Sequence, residues 1–209
     1  MIFMVCIAAL CAACTPSTNG GDTPPVTPPQ DNSIKILAIG NSFSVDAMEY
    51  LYQMLEQAGV REIVLGNLYH AGCSLEQHLD FAVNDKPEYE SRKNVDGSWK
   101  TVDNYVLCNA VFDEEWDYIT FQQTSKTCGL ANSYSKLDEM IAIVKEKCPD
   151  AKLIWNMTWA YQQDSTHASF PNYGKDQMKM YKMIIDVVNT VIAPLDFDVM
   201  IPCMTSIQN

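Results

Sequence analysis

Ser42 stands in Gly40-Asn41-Ser42-Phe43-Ser44, directly after an apolar run and just before a helical period. In such a turn the amide N–H groups and the start of the helix favour negative charge developing on a bound carbonyl oxygen, which is what acyl transfer demands. The competing role for Ser42 or Ser44 is plain helix capping. Two other segments hold suitable donors. Tyr69-His70-Ala71-Gly72-Cys73-Ser74 offers the Gly72 N–H, which a substrate can approach closely because nothing branches from its Cα. Gln122-Gln123-Thr124-Ser125 offers two side-chain amides. The Ser42 loop lacks Gly-Lys-Ser/Thr and Gly-x-Gly-x-x-Gly, so neither a phosphate loop nor a dinucleotide fingerprint is present.

A serine hydroxyl needs a proton acceptor. His167 lies in Gln162-Gln-Asp-Ser-Thr-His167, with Asp164 nearby as an orienting group. A substrate-contact or plain loop role competes for it. His70, Cys73 and His78 are spaced loosely like metal ligands but lack a compelling fourth, so no metal or cofactor is expected. Trp159 and Tyr161 are placed either to stack on a sugar face or to fill the core.

The elements that must position these groups alternate. Ile34–Ile39 reads as a strand buried on both faces. Ala47, Met48, Leu51, Met54, Leu55 and Ala58 follow at helical spacing and stop at Gly59. Strands are expected at 63–69, 116–121, 153–159 and 197–204, with helices over 74–81 and around Leu137–Cys148 and Met178–Ile192. Asn94-Val-Asp-Gly-Ser-Trp99 signals a hairpin excursion on the sheet rim. Strand, helix, strand repeated predicts an α/β fold, a doubly wound parallel sheet of about five strands with helices on both faces. Ligands of such sheets bind at the carboxyl ends of the strands, where the three loops above fall.

The chain has 209 residues, room for one substantial domain, and Lys plus Arg is 14 against 26 Asp plus Glu, a net charge of −12. That acidity and the lack of a basic run exclude nucleic acid as an expected partner. Residues 2–13 are an apolar run too short to span a bilayer, consistent with a signal peptide over 1–13. Residues 14–33 form a Pro/Thr/Gly tether, and 34–209 the globular domain. Leu10-Cys11-Ala12-Ala13-Cys14 resembles a bacterial lipobox, which makes Cys14 the expected lipidation site, a lipid anchor the membrane contact and the cell envelope the expected location. Five cysteines then remain in the domain, Cys73, Cys108, Cys128, Cys148 and Cys203, and a Cys73–Cys128 bridge is one candidate.

Gly40-Asn41-Ser42, Gly72 and an amide after the third strand resemble, in order and spacing, the first three blocks of the SGNH (GDSL-like) hydrolase superfamily. Asn41 replaces the Asp of Gly-Asp-Ser, and Gln122-Gln123 stands where Gly-x-Asn-Asp is usual. Ile39-Gly-Asn-Ser-Phe-Ser44, Ala71-Gly-Cys-Ser-Leu-Glu-Gln-His78, Trp116-Asp-Tyr-Ile-Thr-Phe-Gln-Gln123 and Ile201-Pro-Cys-Met-Thr-Ser-Ile-Gln-Asn209 more closely resemble a lipoprotein branch filed as a domain of unknown function. The resemblance implies an ester hydrolase acting on a small-molecule or carbohydrate ester. Ser42 would be the nucleophile, the Ser42 and Gly72 N–H groups would line an oxyanion hole, and Gln122, or alternatively Gln123, would supply its side-chain donor. The superfamily's Asp-x-x-His block has no counterpart, so the chain is expected to be incomplete at its C-terminus, with His167 as the stand-in base. A glycan-binding lipoprotein without turnover is the alternative.

Overall fold

Along Ile34–Ile39 side chains alternate between two apolar sets, Ile36 and Ala38 on one face, Leu37 and Ile39 on the other, so the strand needs cover on both sides. The computed structural model describes residues 32–208 and shows that cover. In chain order the elements are β1 (Ser33–Gly40), α1 (Ser42–Met48), α2 (Leu51–Gln57), β2 (Glu62–Tyr69), α3 (Leu75–Val83), β3 (Tyr89–Asn94) and β4 (Trp99–Tyr105). There follow α4 (Leu107–Phe112), β5 (Tyr118–Phe121), α5 (Leu137–Lys147), β6 (Lys152–Asn156), α6 (Gln177–Val187), β7 (Val199–Ile201) and α7 (Cys203–Gln208).

One sheet has the order β4-β3-β2-β1-β5-β6-β7. β2, β1, β5, β6 and β7 are parallel, as expected for a doubly wound sheet. These are the expected five or so, and the hairpin expected on the rim pairs into the sheet and brings it to seven strands among the described residues. β3 pairs antiparallel with β2, and β4 with β3. Its turn is closed by the Asn94 side chain accepting the Gly97 N–H at 2.8 Å, with Gly97 at φ 87.

The chain leaves β1 toward β2 on one side and returns to β5 on the other, which opens a crevice at the carboxyl edge of β1 and β5. The larger core packs Leu37, Ile39, Ile119, Phe121 and Trp155 under α3 to α6; the smaller packs Ile36, Ala38, Ile63 and Leu65 under Met48 and Leu55. The single helix expected through Ala58 is two, broken at Glu49 and Tyr50, and it begins earlier, at Ser42. Apolar spacing runs in phase across the break, so periodicity does not register it. The segments expected to be a signal peptide and a tether, up to Asp31 and including Cys14, lie outside the described residues. Within those residues no helix is long and apolar enough to cross a membrane.

His78 is fully buried on α3, its Nδ1 2.8 Å from the Tyr89 hydroxyl and its ring stacked on Tyr89 at 7°. Burial pushes its pKa down to about 3. Between that value and the ordinary 6.5 the unfolded chain binds the extra proton, so stability rises with pH through this window and is complete above it. In urea titrations from pH 4 to 7, His78→Gln is expected to flatten that rise; an unchanged slope would assign it to other groups.

Candidate active site

At the end of β1 the backbone turns so sharply that Gly40 has no room for a side chain: an added Cβ would lie 2.7 Å from Ser44 Oγ and 2.9 Å from Gln122 Nε2. Asn41, not a serine, caps α1, its Oδ1 accepting the Phe43 N–H at 3.2 Å. Ser44 turns inward, 1% exposed, its Oγ 2.7 Å from the Asn41 carbonyl and 2.9 Å from Asn67 Oδ1. Ser42 is therefore the serine left facing solvent, with no side-chain hydrogen bond to the described residues.

The β2 loop is stitched to this turn. The His70 N–H donates to the Gly40 carbonyl at 3.1 Å, and Asn41 Nδ2 to the Cys73 carbonyl at 3.0 Å. Gly72 sits between them at φ 62, in the left-handed region that suits glycine. Among the described residues the Ser42 and Gly72 N–H groups have no acceptor, so both are available to an oxyanion.

Gln122 does not join them. It is 0% exposed, its Nε2 donating to Asn41 Oδ1 at 2.9 Å and its Oε1 accepting from Asn156 Nδ2 at 2.9 Å. The reverse amide orientation would let Gln122 accept from the Ser44 N–H at 3.0 Å, but would set its oxygen against Asn41 Oδ1 at 2.9 Å. Asn41 is fixed by Cys73 and Phe43, so the nitrogen of Gln122 faces it. Beyond Asn156, Cys203 Sγ donates to Asn156 Oδ1 at 3.2 Å. A buried polar chain thus runs from the β2 loop through Asn41, Gln122 and Asn156 to Cys203, crossing the carboxyl ends of β1, β5, β6 and β7. Gln123 is also buried, at 1%; it accepts from the Leu75 and Thr124 N–H groups and donates to Ser133. The expectation that either glutamine donates to a substrate is corrected: both amides are spent on holding loops.

His167 is exposed and has no hydrogen bond to Ser42. Its Nδ1 accepts the Ser169 N–H at 3.1 Å, which in the neutral ring puts the proton on Nε2 and leaves no lone pair for a hydroxyl. The ring stacks on Tyr161 at 4.5 Å, and Tyr161 bonds Ser125 Oγ at 2.8 Å. His70 Nδ1 bonds the Glu88 carbonyl at 2.6 Å. Among the described residues no group of three His, Cys, Asp or Glu is arranged to hold a metal. Trp159 lies half-buried, edge-on to Phe43 at 4.3 Å, on the wall beside Ser42. Sequence reasoning passed over Asn67, Asn156 and Lys126, whose ammonium is 3.4 Å from the Gly72 carbonyl. Asn156 ends its strand, so reading each strand's last residue as well as its loop would have found it.

The Cys73–Cys128 bridge is not formed; all five domain cysteines are thiols. Burial pushes Cys73 up to about 12, against a smaller lowering by Lys126, and Cys128 up to about 11. Iodoacetamide at pH 8 is expected to modify the half-buried Cys108 and Cys148 of the native protein and to reach Cys73 and Cys128 only after denaturation. A Cys73–Cys128 peptide in the non-reduced digest would contradict this.

A family described as a domain of unknown function (DUF4886) matches residues 35–209. The crystal structure of a DUF4886 family protein from Bacteroides uniformis is 38% identical with a TM-score of 0.80, covering 85% of this chain and 70% of that one. A candidate SGNH hydrolase from Slackia heliotrinireducens shares the fold at 17% identity and a TM-score of 0.50, over 80% of this chain and 78% of its own. No curated protein matches the chain.

Proposed function

The chain belongs to the DUF4886 family, and on that premise we propose that it is a serine ester hydrolase that removes acetyl or other acyl groups from carbohydrate. The observation that carries the reading is the solvent-facing Ser42 Oγ beside two unengaged N–H groups, its own and that of Gly72, on the crevice edge of an SGNH-type fold. Ser42 Oγ attacks the ester carbonyl carbon, its proton passing to a base, and the carbonyl oxygen gains negative charge against the two N–H groups. Collapse breaks the bond to the sugar oxygen, which leaves protonated as the alcohol; water then attacks the acyl-enzyme and releases the carboxylic acid. Placement at the cell envelope through lipid on Cys14 belongs to the same proposal and rests on the sequence of residues 1–33.

A fluorophosphonate probe tests the reading. In the full-length native protein it is expected to label Ser42 alone; folded protein that stays unlabelled would overturn the proposal. A second reading, glycan binding without turnover, is favoured by one observation: none of the three histidines is hydrogen-bonded to Ser42. Ser42-dependent release of acetate excludes it.

A further inference from the structure

On the α1 side of the sheet the hairpin builds a second recess. Asn67 of β2, Arg92 of β3 and Thr101 of β4 are register partners and so share one face. Trp99, two residues from Thr101, lies on the same face, and Val45 of α1 with Glu49 just past its end form the opposite wall of a cleft of about 130 Å³. That is below the roughly 300–1,000 Å³ of sites that enclose a whole drug-sized ligand, so the cleft has room for one small residue of a longer ligand. Ser42 does not line the cleft, but it stands three residues before Val45 on α1, one helical turn from the cleft wall.

The polar groups in it are unevenly satisfied. Asn67 is 2% exposed; one end of its amide meets Ser44, and the other has no partner among the described residues and faces the cleft. A ligand in the cleft would accept from that N–H in place of water. Arg92 is held on two sides, its guanidinium carbon 4.2 Å from the Tyr69 ring centroid and its Nη2 paired with Glu90 at 2.7 Å, so its charge is already offset. An anionic ligand would meet Glu49 and Glu90 in a chain of net charge −12. A plain alkyl chain would bury Asn67 and Arg92 against nothing. A ring with hydroxyls on its rim and C–H groups on its face meets Asn67 and Arg92 as donors, Glu49 and Thr101 as acceptors, and the half-buried Trp99 as a platform.

We propose that this cleft between α1 and the hairpin is a subsite for a neutral sugar residue, holding the non-reacting part of the substrate beside Ser42. The placement beside Ser42 rests on the ester-hydrolase reading; the binding itself does not. The test uses full-length Ser42→Ala protein, so that nothing turns over, titrated calorimetrically with β-linked hexasaccharides of xylose, glucose and N-acetylglucosamine. At least one is expected to bind saturably. In that background Thr101→Trp, which fills the cleft from an exposed edge-strand position, and Trp99→Ala should each weaken binding at least tenfold. Val102→Ser, on the opposite face of β4, should leave it unchanged. Trp99 also packs on the smaller core, so Thr101→Trp decides if Trp99→Ala fails to fold. No binding by any of the three sugars, or binding indifferent to Thr101→Trp, overturns the subsite. Thr101-sensitive binding with no ester turnover by the unmodified protein would overturn the hydrolase reading and leave the subsite standing.

Discussion

Ser42→Ala is expected to lower ester hydrolysis by the native protein on the order of 10⁴-fold or more, the scale on which a missing nucleophile acts, while leaving the melting temperature unchanged within error. Both halves follow from one fact: Ser42 Oγ is exposed and bonds to none of the described residues, so its removal breaks nothing structural. Ser44→Ala is the contrast. Its hydroxyl is buried against the Asn41 carbonyl and Asn67, and losing it should cost about 1–3 kcal/mol of stability. Initial rates on an aryl acetate and thermal melts of the two variants separate nucleophile from scaffold. Turnover surviving in Ser42→Ala would end the hydrolase reading, whatever the melts show.

The sequence made some of this arrangement readable and concealed the rest for identifiable reasons. The apolar run from Ile34 located β1, and the rule that ligands sit at strand ends led to Ser42 and Gly72. Asn94-Val-Asp-Gly marked the hairpin turn through its chemistry, but whether the hairpin joins the sheet depends on β2 having an open edge, which no local signal carries. Gln122 and Gln123 are adjacent after the same strand, so sequence could place both at the crevice. It could not say that both are buried, because that depends on Asn41, Asn156, Leu75 and Ser133 arriving from other elements. Sequence put His167 in the loop after β6; it could not say that the Ser169 N–H would occupy its Nδ1, a bond made within its own loop.

The role of Gln122 gives the second large effect. Gln122→Met keeps the volume but leaves Asn156 Nδ2 without its acceptor and removes one of two donors from Asn41 Oδ1, in a region closed to water. We expect a loss of about 2–4 kcal/mol, seen as a melting temperature lower by roughly 5–15 °C. An oxyanion-hole donor would behave oppositely: its removal costs about 10²–10³ in kcat with little change in melting. Because Gln122 touches Asn41, which caps the helix carrying Ser42, some activity falls as well, and rate alone cannot distinguish the two roles. The double variant can. Adding Asn156→Leu removes the orphaned donor, so part of the lost stability should return even though a further hydrogen-bonding group is gone. If the two substitutions simply add, the amides of Gln122 and Asn156 are not coupled, and the turn at Ser42 is held from the β2 loop alone.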